Sequence, residues 1–252
     1  MKPTETDIQI AKQYLLERLD AERSMLYHLE RLMRKAAEDI VALLYAKGIS
    51  VDTLKYNRLQ KQVEESINEI ILNLQESIAD IFETLAIADH EENRNTILPF
   101  ILGENHGMTF DERLTDYVEK YKNELLLLIG AGLLLGIGKS ALAKSIGDNL
   151  RQPYANPMLK DGIEAPLTYG RGKSNAMYNA IGSLTRNGIA GAWMKNFYIE
   201  TRKNGCIGWL VQRGSSYPCE ICQAYVGLQT SEENLPPFHL NCVCYAVPIY
   251  LK

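Results

Sequence analysis

No stretch of this 252-residue sequence is apolar for the roughly 20 residues that a helix needs to cross a bilayer. The nearest approach, Leu125–Ile137 (LLLLIGAGLLLGI), has 13 residues. As a helix it would reach only about 20 Å against a hydrocarbon core of about 30 Å, so it reads as a buried helix. Cysteine is absent before Cys206, and the total of five is odd, which argues against a secreted disulfide framework. The opening Met-Lys-Pro-Thr-Glu-Thr-Asp lacks both the apolar core of a secretory signal and the basic character of a transit peptide. The expectation is synthesis inside the cell. Glycine and proline are few, 18 and 9, which excludes a collagen-like chain, and 46% apolar residues exclude a chain too polar to bury a core. Neither internal repeats nor low-complexity tracts occur, and histidine appears only four times.

Charge is nearly balanced in total, 27 basic against 31 acidic residues, but not along the chain. Residues 1–96 carry 12 basic and 18 acidic side chains, 97–150 carry 5 and 7, and 151–252 carry 10 and 6. Nine of the last ten basic residues lie in 151–213: Arg151, Lys160, Arg171, Lys173, Arg186, Lys195, Arg202, Lys203 and Arg213. Such a segment reads either as a solvated surface or as a face for phosphates or an acidic partner.

Apolar residues recur at Ile8, Leu15, Leu19, Leu26, Leu29, Met33, Ala36, Ile40 and Leu44, the spacing of one stripe on a long amphipathic helix. Lys47-Gly48 ends it, with glycine suited to the left-handed C′ position. A second stripe runs from Leu59 through Val63, Ile67, Ile70, Leu74, Ile78 and Ile81 to Leu85, after the candidate cap Asp52, and the pair predicts a helical hairpin. Residues 89–108 lose the period and read as a connection or docking segment. Thr109-Phe-Asp-Glu112 is a capping box opening a helix toward Gly130. Gly132 and Gly136, four apart, suggest close approach of another backbone. A short helix over Ser140–Leu150, a Pro- and Gly-containing boundary over 152–172, and a helix from Ser174 to about Tyr198 follow. From Cys206 the pattern changes to strands, Ile207–Gln212 and Cys242–Tyr250. The fold class is α+β, mostly α. We divide the sequence into 1–108, a helical hairpin and connection; 109–172, a helical linker region; and 173–252, a small α+β domain.

Two motifs fall short of known chemistry. Gly136-Ile-Gly138-Lys139-Ser140 resembles the end of a phosphate-binding loop, but Leu133 stands where the first glycine is required and the preceding segment reads as helix, not strand. Pro218-Cys219-Glu-Ile-Cys222 with His90-Glu91-Glu92 has the parts of a zinc deaminase. The halves are too far apart, and His90 reads as a solvated histidine at a polar helix end.

The informative group is Cys219-x-x-Cys222, sixteen residues, then His239-x-x-Cys242-x-Cys244. A C-x-x-C turn can aim two thiolates at one ion, and a distant second pair completes a tetrahedron. Five donors stand ready for a metal that takes four. A closed set leaves no position for water, so the metal would be structural Zn. The same clustering also serves disulfides or packed free thiols.

The run Tyr217-Pro-Cys-Glu-Ile-Cys-Gln-Ala-Tyr-Val-Gly227, followed by Leu235-Pro-Pro-Phe-His-Leu-Asn-Cys-Val-Cys-Tyr-Ala-Val-Pro-Ile249, resembles the C-terminal signature of the phage Mu F-like head morphogenesis family of minor capsid proteins. Leu240 stands where that family usually has proline, and Val243 where it has arginine. Upstream, Gly138–Leu150 and Tyr169-Gly-Arg-Gly-Lys173 with the helix after it are similar to the family's turn and helices, although Thr185-Arg186 replaces a Thr-Glu pair. The resemblance covers about residues 110–250. It implies a virion structural protein, not an enzyme, made in the host cytoplasm and joined to the portal protein and other capsid proteins during head assembly, without a membrane partner. Phage DNA is a further candidate partner, through the basic 151–213 segment. Two other classes stay open: a small nuclease-like enzyme with His239 as general base, and a zinc-ribbon module that binds nucleic acid.

Overall fold

A computed structural model describes residues 3–55, 58–88, 90–104, 107–159, 161–162, 176–239 and 242–250. Among them are eight α-helices and one three-stranded sheet. The helices are α1 (Glu5–Ala46), α2 (Val51–Lys55), α3 (Lys61–Ile87), α4 (Arg94–Leu102), α5 (Phe110–Leu134), α6 (Lys139–Asp148), α7 (Met177–Lys203) and α8 (Glu220–Tyr225). The strands are β1 (Cys206–Gln212), β2 (Gly227–Gln229) and β3 (Tyr245–Tyr250). The chain is α+β and mostly α, with its antiparallel sheet and its Cys/His cluster at the C-terminal end. No helix among the described residues is long and apolar enough to cross a membrane.

Contacts group the chain into two compact units, each drawn from separated segments: residues 1–25, 82–110 and 183–252 in one, residues 26–81 and 111–182 in the other. Helices α1, α3, α5 and α7 therefore each contribute residues to both, α5 only through Phe110.

The end of α1 is a Schellman turn. Gly48, at φ +61°, donates to Tyr45 O and Ile49 donates to Leu44 O. Helix α5 closes the same way at Gly136, φ +68°, where Gly136 donates to Leu133 O and Ile137 to Gly132 O. Gly136 thus serves as a helix terminator. At Gly132 it is the Leu142 side chain, not a backbone, that occupies the space a Cβ would fill, 2.4 Å from it. The helix-turn-helix formed by α5 and α6 also leaves no strand ahead of Gly138, as the phosphate-loop chemistry would require.

Other sequence expectations need correction. Ser50 caps α2 through its hydroxyl and the Thr53 amide, 3.3 Å apart, which leaves Asp52 inside the first turn. Leu125–Ile137 is buried on one face only: Leu125, Leu128 and Ile129 are in the core, whereas Leu127, Leu134 and Leu135 are exposed. Residues 94–102, expected as a connection, form α4 in spite of Pro99. Ile97 is buried in α4, and that burial opposes the loss of the Pro99 amide from the helical ladder. The Tyr169–Lys173 turn, Lys160, Leu240, the start of the helix expected from Ser174 and most of the 152–172 boundary lie outside the described residues.

In the sheet, β1 lies between β2 and β3, antiparallel to both. Trp209 faces Gln229 on one side and Pro248 on the other. Pro248 is tolerated because β3 is an edge strand with one ladder to serve. Three-residue β2 has too few positions for alternation to be read from sequence; its pairing with β1 makes it a strand. One core joins Phe197, Cys206, Trp209, Val211, Leu235 and Ala246, and Tyr14 of α1 packs against it. A second joins Ala11 of α1 to Tyr245 and Val247 of β3, with Ile8 and Leu15 alongside.

Candidate metal centre

The ladder between β1 and β3 ends where Gln212 pairs with Tyr245, and the Tyr245 hydroxyl donates to Gln212 Oε1 at 2.7 Å. Just beyond this end the chain brings together the residues that the C-x-x-C and H-x-x-C-x-C spacing singles out. Cys219 is the N-cap residue of α8 and Cys222 lies in its first turn. His239 follows Phe238, whose ring stacks on Tyr225 of α8 at 4.5 Å and nearly parallel. That stack sets the histidine loop against α8. Cys242 and Cys244 precede β3 in irregular backbone, so they do not begin the strand as expected, although both are buried and flank the less buried Val243.

Donor atoms of Cys219, Cys222 and His239 all lie within 4.8 Å of one another, as do those of Cys222, Cys242 and Cys244. His239 Nε2 is 3.3 Å from Cys219 Sγ and 2.9 Å from Cys222 Sγ, and the Cys222 and Cys242 sulfurs are 3.9 Å apart. Cys222 belongs to both groups, and the five residues form one cluster that can hold a metal ion. All five cysteines of the chain are free thiols. Cys206 stands apart, its thiol donating to Gly208 O at 2.9 Å within the sheet core.

The thiols differ in environment. The Cys222 amide, followed by other local hydrogen bonds, holds the Cys219 thiol below its ordinary pKa. Burial pushes Cys222 and Cys244 up, and neighbouring sulfurs add to the rise. For Cys244 the rise comes from burial and Cys242, while a hydrogen bond with the Cys222 thiol and then the Gly214 amide work in the opposite direction. Gly214 is required there: a Cβ on it would stand 1.8 Å from the Val243 carbonyl oxygen.

One neighbour of the cluster is invisible in its motif. Arg18, on α1 and only 2% exposed, donates from Nη2 to Cys242 O at 2.7 Å. Its Nε is 3.2 Å from Glu22 Oε1, and Glu22 also meets Arg186 of α7 at 3.1 Å. Burial lowers the Arg18 guanidinium's pKa, while Glu22 and then Cys242 and Cys244 oppose that shift. A signal existed. The buried line of α1 runs Ala11, Arg18, Glu22, Met25, Leu29, Met33, Ala36, Ile40 and Leu44, so two opposite charges sit on the core period itself.

His90 also differs from expectation. It is 5% exposed, with Nδ1 3.0 Å from Asn196 Nδ2 and Nε2 3.3 Å from the Tyr14 hydroxyl. Its ring meets Trp193 edge-on at 4.6 Å. Partners more than 70 residues away in either direction bury it, and sequence-local polarity gives no hint of them. Of the basic residues in 151–213, Lys160, Arg171 and Lys173 lie outside the described residues. The remaining six are engaged: Arg151 with Glu30, Arg186 with Glu22, Lys195 with Glu232 and Lys203 with Glu200. Arg202 bonds Cys206 O and Thr230 O, and Arg213 donates to Gln223.

No family model matches the chain, and neither a curated protein nor a solved structure matches it.

Proposed function

We propose that the chain is a phage minor capsid protein of head morphogenesis, a structural component that joins the portal and other capsid proteins, and that its Cys/His cluster holds one structural zinc ion. The observation that carries this reading is the gathering of Cys219, Cys222, His239, Cys242 and Cys244 into one cluster. These are the residues on which the resemblance to the Mu F-like family is most specific.

Donor chemistry supports zinc. Thiolates and imidazole are the ligands of structural zinc sites. Tetrahedral bonds of about 2.3 Å to sulfur and 2.0–2.1 Å to nitrogen separate two sulfurs by about 3.8 Å and sulfur from nitrogen by about 3.5 Å. The Cys222–Cys242 separation of 3.9 Å and the Cys219–His239 separation of 3.3 Å are close to those spans, and Cys222–His239, at 2.9 Å, is the tighter of the two sulfur–nitrogen pairs. Bound zinc would cross-link α8, the histidine loop and the entry to β3, three short pieces with little core of their own. No catalytic role is proposed for His239, whose Nε2 is turned toward two thiols.

Two measurements test the reading. Elemental analysis of protein purified without chelator is expected to find about one zinc per chain; metal-free protein with Cys219 and Cys222 oxidised to each other would overturn the metal. Co-expression with a portal oligomer is expected to yield a complex. A chain that ignores the portal but hydrolyses labelled RNA or DNA, and loses that activity in a folded His239→Ala variant, would overturn the assembly role in favour of a nuclease.

A further inference from the structure

The zinc reading accounts for the five donors but not for the buried arginine beside them. Arg18 is set on the core line of α1, where a charged side chain is costly unless its charge is used. Its carboxylate partner is not its own: Glu22 is shared with Arg186, which approaches it from Nε at 3.3 Å and Nη2 at 3.1 Å. Two guanidiniums around one carboxylate leave one positive charge in excess, and this excess lies against the Cys242–Cys244 segment, whose carbonyl Arg18 grips at 2.7 Å. Across that contact the cluster would carry the opposite imbalance. Three thiolates and a histidine around a divalent ion leave one negative charge uncompensated, and four thiolates leave two.

The same part of α1 has an apolar reason to be there. Ala11 and Leu15 pack on Tyr245 and Val247, immediately downstream of Cys244, and Tyr14 meets Phe197 at 5.3 Å between ring centroids. Helix α1 therefore touches β3 through carbon and the cysteine segment through charge.

Resting on the zinc reading, we propose that Arg18 is the positioning residue of the Cys/His centre: it holds the Cys242–Cys244 segment by its carbonyl and neutralises the excess thiolate charge, so that metal loading and docking of residues 8–25 onto the C-terminal sheet are coupled. The centre then has a consequence beyond its own loops. Zinc fixes the N-terminal turns of α1, and a chain that has lost the metal presents them loosely.

The test uses the full-length protein, with zinc counted first. Arg18→Met, which keeps the length of the stem but not the charge or the donors, is expected to weaken zinc binding about 10- to 100-fold in competition with a chromophoric chelator. Arg18→Lys, which keeps the charge without the planar fork, should weaken it less. In the wild type, stripping zinc should raise amide exchange over residues 8–25 and leave residues 111–134 protected. If Arg18→Met does not accumulate as folded protein, the exchange comparison on the wild type decides alone. A zinc-loaded wild type whose 8–25 amides ignore removal of the metal, or lose protection only together with 111–134, overturns the proposal, as does unchanged zinc affinity in folded Arg18→Met. A wild type without zinc overturns the metal reading itself and this coupling with it.

Discussion

Glu124 offers a stability test whose size follows from its surroundings. It lies on α5, 5% exposed, with its carboxylate bonded by the Met177 amide and the Tyr154 hydroxyl. Burial raises its pKa from an ordinary 4.5 to about 7, and the two hydrogen bonds only partly offset that rise. A carboxyl group with a raised folded pKa makes the native state bind the proton more tightly than the unfolded chain does. Below pH 4.5 both states are protonated and the group is neutral in the balance. Between 4.5 and about 7 the unfolded chain releases its proton first, so stability falls as pH rises, and above about 7 the loss is complete. Each pKa unit is worth about 1.4 kcal/mol, so the full loss is roughly 3 kcal/mol. Glu124→Gln cannot ionise and keeps the shape. Urea unfolding of both proteins between pH 4.5 and 8 should give curves that nearly coincide at the acid end, with the variant the more stable by roughly 3 kcal/mol at pH 8. A difference that does not change with pH, or a wild type that gains on the variant as pH rises, would refute the reasoning, because the carboxylate would then be stabilised by its two partners rather than penalised by burial.

Gly214→Ala places a methyl group against the Val243 carbonyl and displaces the segment between Cys242 and Cys244. A loss of about 1–3 kcal/mol is expected on thermal unfolding, accompanied by weaker zinc binding. Gly130→Ala is its control: nothing lies within 4 Å of the added carbon and the site is helical, so stability should rise by up to about 1 kcal/mol. Tyr121 is fully buried and its hydroxyl donates to Met33 O at 2.7 Å. Tyr121→Phe should cost about 0.5–1.5 kcal/mol in urea unfolding; an unchanged midpoint would show that the hydrogen bond contributes nothing net.

What could be read from the residues was whatever local spacing enforces. Both long N-terminal helices, the glycine terminator at Gly48, the short helix after Gly138 and strand β1 all follow from periods of 3.6 or 2 and from the left-handed freedom of glycine, whereas the terminator role of Gly136 emerged only from the folded chain. The Cys/His cluster was legible for a related reason: thiol pairs two and three residues apart, with a histidine at matching spacing, place several donor groups within reach of one another through local geometry alone.

Tertiary structure decided everything that depends on residues far apart in sequence. It turned His90 from an expected surface residue into a buried one between Tyr14, Trp193 and Asn196. It made a helix of 94–102 by burying Ile97, and a strand of 227–229 by pairing it with β1. It put the thiols of Cys242 and Cys244 ahead of β3 rather than in it. Above all it set Arg18 against the Cys242 carbonyl, 224 residues away. An arginine's charge can be read from its letter, but whether water or a cysteine segment answers that charge depends on a neighbour that only the folded chain supplies.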